Sequence, residues 1–389
     1  MKQIQRIAFV LILSFCSVSL LFSQEVKVGA DRLDNLLPML EGKKVALVIN
    51  QTSVLSDKTS LLDTLLSSNV YIEKIFAPEH GFRGTADAGA RIKDGHDPIT
   101  KIKVESLYGK NYKPSKEQLD GIDVVVFDIQ DVGARFYTYI STMHYVMEAC
   151  AENGKDCIIL DRPNPNDHVA GPVLDMKYKS FVGMHPIPVQ HGLTVGELAM
   201  MINGEGWLAN AAKCQLFVIR VDGWKHGQPF SLQIAPSPNL PNDQSIAVYP
   251  SLCFFEATKV SVGRGTDFAF QVAGAPGKQN GNFVFTPQSR EGARSPMHQN
   301  VKCYGVDLRD LKTDGKLDIS YLLDFYKKSG KGALFFSSRQ FMDMLSGSDK
   351  LRKQIINGET KESIEKSWEK DLEAYRALRA KYLLYPDKD

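Results

Sequence analysis

The chain lacks an excess of charge of either sign, a paired-cysteine framework and, beyond residue 22, any apolar run long enough to cross a bilayer. Lysine and arginine number 47 against 45 aspartates and glutamates. Two of the basic residues, Lys2 and Arg6, lie at the extreme N-terminus; without them the signs balance at 45 each. A chain so balanced has no basic footprint for nucleic acid. No His-Glu-x-x-His, Cys-x-x-Cys, phosphate-binding Walker loop or Gly-x-Ser-x-Gly elbow appears. These absences leave no metal ligand set, cofactor motif or activated serine to build on, and the sequence sets no oligomeric state.

The N-terminus carries a short basic region at Lys2 and Arg6, a mostly apolar stretch over 7–22, and Ser23 ahead of Gln24-Glu25. This pattern predicts a signal peptide over 1–23, cut near Ser23-Gln24, and an exported protein that works in the periplasm or outside the cell without stable membrane insertion. Cys16 follows Phe15, too bulky a residue for a lipid-attachment box. Five cysteines then remain, Cys150, Cys157, Cys214, Cys253 and Cys303, mostly in apolar stretches. They read as buried free thiols, with a Cys150–Cys157 disulfide as the alternative.

Short β-branched runs at 43–49, 71–76, 123–127, 157–160 and 216–221 alternate with helix-like segments at 31–42, 59–67, 140–152 and 194–203. Thr194 with Glu197 forms a capping box at the last of these. The alternation predicts an α/β fold, a doubly wound and mostly parallel sheet over 24–245. A long glycine-containing connection is expected over 85–113. After residue 245 short strands and aromatics, then helices at 318–328 and 360–381, predict a smaller α+β domain over 246–389.

Polar motifs stand just past the apolar runs, where open parallel sheets bind ligands. Glu79, in Pro78-Glu79-His80-Gly81, is a candidate general acid or a loop-fixing carboxylate. Asp128 and Asp131 flank Gln130 at a strand end, and glycosidases commonly work with two carboxyls about 5–9 Å apart; one of these aspartates is expected to be structural. Arg83, Arg135, Arg162 and Arg264 follow acid- or glycine-rich turns and would bind an anionic group or pair with Asp128, Asp131 or Asp161. Tyr137 and Tyr139 would stack on a sugar ring or fill core, sharing one side if the segment is extended. His80 and His191 adjoin glycines as proton shuttles, substrate contacts or structural groups.

Seven motifs in order resemble one family, the bacterial exo-β-N-acetylmuramidases of the NamZ type. They are Pro78-Glu79-His80-Gly81-Phe82-Arg83-Gly84; Phe127-Asp128-Ile129-Gln130-Asp131-Val132-Gly133 with Arg135-Phe136-Tyr137-Thr138-Tyr139; Leu160-Asp161-Arg162-Pro163-Asn164-Pro165; Ser180-Phe181-Val182-Gly183; His191-Gly192-Leu193-Thr194 with Gly196-Glu197-Leu198; Pro236-Ser237-Pro238-Asn239-Leu240-Pro241; and Ser261-Val262-Gly263-Arg264-Gly265-Thr266. Phe255-Glu256-Ala257-Thr258 departs from the pattern, which has glycine at the third place. The resemblance implies a Rossmann-like domain, a smaller C-terminal domain and a cleft between them. It also implies release of N-acetylmuramic acid (MurNAc) from the non-reducing end of peptidoglycan fragments such as MurNAc–GlcNAc, with Glu79 as the acid and Asp128 or Asp131 assisting. Substrate contacts would come from His80, Arg83, Gln130, Arg135, Tyr137, Tyr139, Asp161, Arg162, Asn164, His191, Asn239 and Arg264. A non-catalytic peptidoglycan-fragment binding protein is the alternative.

Overall fold

A computed structural model describes residues 25–83, 94–109, 111–330 and 332–387. The predicted signal peptide, Gly84 and the first part of the 85–113 connection lie outside the described residues. Twelve strands are described: β1 Val45–Ile49, β2 Ile72–Ala77, β3 Gly95–His96, β4 Lys103–Ser106, β5 Val124–Asp128, β6 Asp156–Leu160, β7 Val169–Ala170, β8 Gln190–His191, β9 Gln215–Ile219, β10 Val272–Ala275, β11 Phe283–Phe285 and β12 Cys303–Asp307. The helices that matter below are α1 Leu33–Leu40, α2 Leu61–Ser67, α3 Lys116–Leu119, α4 Tyr139–Asn153, α5 Val195–Gly204, α6 Asp243–Leu252, α7 Ser320–Lys328 and α8 Arg339–Ser346.

The main sheet has seven strands in the order β3-β4-β2-β1-β5-β6-β9. Every pairing in it is parallel except that of β3 with β4. Chain progression runs outward from β1 in both directions, the doubly wound pattern the alternation predicts. β1 and β5 are buried at every residue, as strands covered by helices on both faces must be, and their uninterrupted Val/Ile/Leu composition follows from that. The connection expected over 85–113 is not structureless, since it contributes β3 and β4 at the sheet edge.

Helix boundaries follow local chemistry. Thr194 caps α5 by accepting from the Glu197 amide, and the Glu197 carboxylate accepts from the Thr194 amide. Ser60 caps α2. The helix expected over 360–381 is two, Lys361–Lys366 and Glu369–Arg379, broken at Ser367-Trp368. All five cysteines are buried free thiols.

A three-stranded antiparallel sheet, β10-β12-β11, and α7 onward form the second unit. One hydrophobic core runs from Ala46 in β1 to Tyr375 near the C-terminus, crossing residue 245. The chain's end returns to the first unit: the Tyr375 hydroxyl donates to the His191 carbonyl at 2.6 Å, and the Tyr385 hydroxyl donates to Asp161 Oδ2 at 2.5 Å. These bonds tie the C-terminal segment to the first unit. Among the described residues no helix is long and apolar enough to cross a membrane.

Candidate active site

The turn after β2 presents Glu79. The Gly81 amide donates to the Pro78 carbonyl at 3.0 Å, closing a turn in which His80 has φ +68° and Gly81 φ +78°. A non-glycine residue with positive φ costs free energy, and such strain concentrates at functional sites. Glu79 is half-buried. Its Oε2 accepts from the Thr138 hydroxyl at 2.8 Å, and the Tyr108 hydroxyl also bonds its carboxylate. Burial and the Glu79 charge together push the Tyr108 hydroxyl far up, so it stays a donor.

The segment Phe136–Tyr139 is a turn entering α4, not an extended strand. Tyr137 and Tyr139 therefore do not simply alternate with Phe136 and Thr138, and all four line the cavity. Both tyrosine hydroxyls donate to the Pro236 carbonyl, at 2.9 and 3.3 Å. These bonds pin the proline-rich segment to the cavity mouth. Asn239 from that segment lines the cavity and donates to the Gly292 carbonyl at 2.8 Å.

The cavity holds about 620 Å³, enough for a saccharide unit. The second unit contributes Glu256, Arg264, Phe270 and Arg294 to its lining. Arg264 Nε donates to Glu256 Oε1 at 2.7 Å, and its guanidinium lies 5.0 Å from the centre of the Phe270 ring. Nε is the one guanidinium nitrogen of Arg264 in a hydrogen bond among the described residues. The terminal nitrogens can therefore accept a planar anion from outside.

Of the fifteen residues expected at the site, Glu79, His80, Tyr137, Tyr139, Asn239 and Arg264 line this cavity, and nine do not. Asp128 is fully buried and accepts from Arg162 Nε at 2.6 Å and Nη2 at 2.8 Å. Burial raises its carboxyl pKa while Arg162 opposes the rise. The pair is consumed by the fold, because both carboxylate oxygens are taken and Arg162 also donates to the Val54 carbonyl. Asp131 accepts from the Gly133 amide at 2.7 Å and lies 3.4 Å from buried His191 Nε2, away from the cavity. Gln130 donates to the carbonyls of Asp131 and Pro163. Asn164 donates to the Leu193 carbonyl.

Asp161 accepts from Thr194, Gly196 and Tyr385, and burial, reinforced by Glu197, pushes it up to about 6. Arg135 is buried, has no carboxylate partner among the described residues and donates to the carbonyls of Pro172, Ile187 and Leu345. Burial alone lowers it to about 9, and its work is to close the end of α8 onto the first unit. Arg83 pairs with Asp97 at 2.7 Å and does not line the cavity.

Sequence reasoning missed Tyr108, Phe181, Glu256 and Arg294, all in the cavity lining. Glu256 carried a signal, a single acid in the apolar run Leu252–Ala257 at the place where the chain departs from the resembled pattern. Glu79 and Glu256 are the two acidic side chains that line the cavity among the described residues.

Comparison with known proteins bears on this geometry. The family described as exo-beta-N-acetylmuramidase NamZ matches with its N-terminal part over residues 45–244 and its C-terminal part over 247–385. The peptidoglycan beta-N-acetylmuramidase NamZ of Bacillus subtilis (strain 168) is 38% identical over 379 residues, covering 91% of this chain and 90% of that protein. A crystal structure of a DUF1343 family protein from Bacteroides fragilis superimposes with a TM-score of 0.87 at 42% identity, covering 94% of this chain and all of that one. A second from the same organism gives 0.81 at 32% identity, covering 92% and 99%.

Proposed function

The chain belongs to the NamZ exo-β-N-acetylmuramidase family and is a glycoside hydrolase, and from that premise we propose that it releases MurNAc from the non-reducing end of peptidoglycan fragments such as MurNAc–GlcNAc. The observation that carries this reading is the half-buried Glu79, held by Thr138 and Tyr108 in a cavity that Arg264 also lines. Glu79 gives its proton to the glycosidic oxygen as the bond from the anomeric carbon breaks. Water supplies the hydroxyl that ends on that carbon, and its remaining proton restores the acid. The Arg264 terminal nitrogens take the lactyl carboxylate that distinguishes MurNAc from GlcNAc, in the paired geometry guanidinium favours. Glu256 fixes the orientation of that guanidinium through Nε.

Asp128 has no part in this chemistry, being spent on Arg162. The N-terminal pattern over 1–23 supports export, so the enzyme works on wall fragments outside the cytoplasm.

The test is incubation of the purified protein with a chromogenic β-MurNAc glycoside, its β-GlcNAc counterpart and MurNAc–GlcNAc. Release from the MurNAc substrates and not from the GlcNAc glycoside is expected. Intact substrates throughout would overturn the reading.

A further inference from the structure

Four aromatic side chains gather beside the cavity without joining any hydrophobic core cluster of the described residues: Tyr108, Tyr112, Tyr145 and Phe181. All four are half-buried. Tyr112 lies 4.3 Å from Phe181, centre to centre, and 5.6 Å from Tyr108. Tyr145 is near-parallel to Phe181 at 12° and 6.4 Å, and to Tyr112 at 27° and 6.5 Å. Aromatic rings that keep part of their surface in water outside the core, three of them with a polar edge, suit a ligand that is itself half apolar, as a sugar face is. Tyr108 and Phe181 line the cavity, whereas Tyr112 and Tyr145 do not. The cluster therefore begins inside the cavity and continues outside it.

Its position relative to Glu79 sets a direction. Tyr108 is bonded to the Glu79 carboxylate. A general acid stands between the sugar that is released and the leaving group, because it protonates the oxygen that joins them. Arg264, which takes the MurNAc carboxylate in the reading above, and Glu256, which orients it, come from the other unit.

We infer that Tyr108, Phe181, Tyr112 and Tyr145 form the binding strip for the reducing-side sugars of the glycan, so that the enzyme reads more than the terminal residue. This rests on the muramidase reading. Tyr112 and Tyr145 both stand next to Phe181, at 4.3 and 6.4 Å, and continue the cavity rings outward, so the glycan crosses them after leaving Glu79. Shortening the strip weakens the grip on a long leaving group and does nothing for a leaving group too small to reach it.

The experiment compares a MurNAc-ended tetrasaccharide with β-MurNAc fluoride, whose departing fluoride occupies no sugar site. In Tyr112→Ala the ratio of kcat/KM for tetrasaccharide to that for fluoride should fall about tenfold, and Tyr112→Phe should restore it. Tyr145→Ala, on α4, gives a second, smaller fall and serves if Tyr112→Ala does not fold. A ratio within about twofold of wild type in both alanine variants overturns the inference. If the wild type hydrolyses neither substrate, the muramidase reading fails first and takes this inference with it, an outcome distinct from an unchanged ratio.

Discussion

Two arginine–carboxylate pairs stand on either side of this molecule's chemistry, and their difference tells which polar groups are available. Asp128–Arg162, at the end of β5, has side chains 0% and 5% exposed; Glu256–Arg264, in the cavity, has side chains 25% and 24% exposed. In the first, two bonds join the partners and a third ties Arg162 to the Val54 carbonyl. In the second, one bond joins them. A parallel sheet of this winding usually offers its crevice where the strand order reverses, here between β1 and β5. The chain has filled that place itself: the Gln130 backbone N–H donates to the Thr52 hydroxyl, the Ser53 hydroxyl donates to the Asp128 carbonyl, and Arg162 spans from Asp128 to Val54. The open volume lies beside it, over the end of β2, where the second unit closes the cavity.

The sharpest way to break the comparison is at Glu79. Glu79→Gln should lower kcat/KM on MurNAc–GlcNAc about 10³-fold or more and leave the thermal midpoint within error of wild type, measured by calorimetry. Next in size is the closed pair. Arg162→Ala should destabilise the fold by about 3–5 kcal/mol, because the Asp128 charge is left buried and unpaired. Replacing both partners with apolar residues should cost less than that single change, measured by denaturant unfolding. A smaller effect belongs to the open pair. Arg264→Ala should cut the preference for MurNAc over GlcNAc glycosides about ten- to a hundredfold, the worth of a hydrogen-bonded ionic contact, with little change in unfolding free energy.

A separate expected effect is a pH slope in a third ionic group outside the cavity lining. His226 faces Asp167 and Glu197 at 3.0 Å each, and Arg379, itself paired with Asp387. Burial disfavours its charge, but the two carboxylates outweigh burial and push it up to about 9. A histidine raised in the folded state contributes stability that is full below about pH 6.5 and is lost as pH rises through about 9. The thermal midpoint should therefore fall across that window, and His226→Gln should flatten the fall without altering the preference for MurNAc.

Much of the frame was legible from periodicity. The apolar runs became β1, β2, β5, β6 and β9 within a residue or two, and Thr194 with Glu197 marked α5 correctly. Local sequence identifies such elements because their determinants are neighbours. The site was legible only in part, since a polar residue past a strand end reads the same whether it meets a ligand or another residue. Asp128 finds Arg162 34 positions on, and Arg135 finds its carbonyls as far away as Leu345. No spacing rule announces those meetings. Glu256 reaches the cavity from the second unit, 177 positions after Glu79. Phe181 lies in the Ser180–Gly183 motif and Tyr108 in the 85–113 connection, but nothing local says that their rings stay outside the core.

The most direct test is a crystal structure of Glu79→Gln soaked with MurNAc–GlcNAc. The account predicts the disaccharide in the cavity, its lactyl carboxylate on the Arg264 terminal nitrogens and its glycosidic oxygen within hydrogen-bond reach of residue 79. A disaccharide bound elsewhere, at the Asp128–Arg162 pair for example, with the cavity empty, would contradict it.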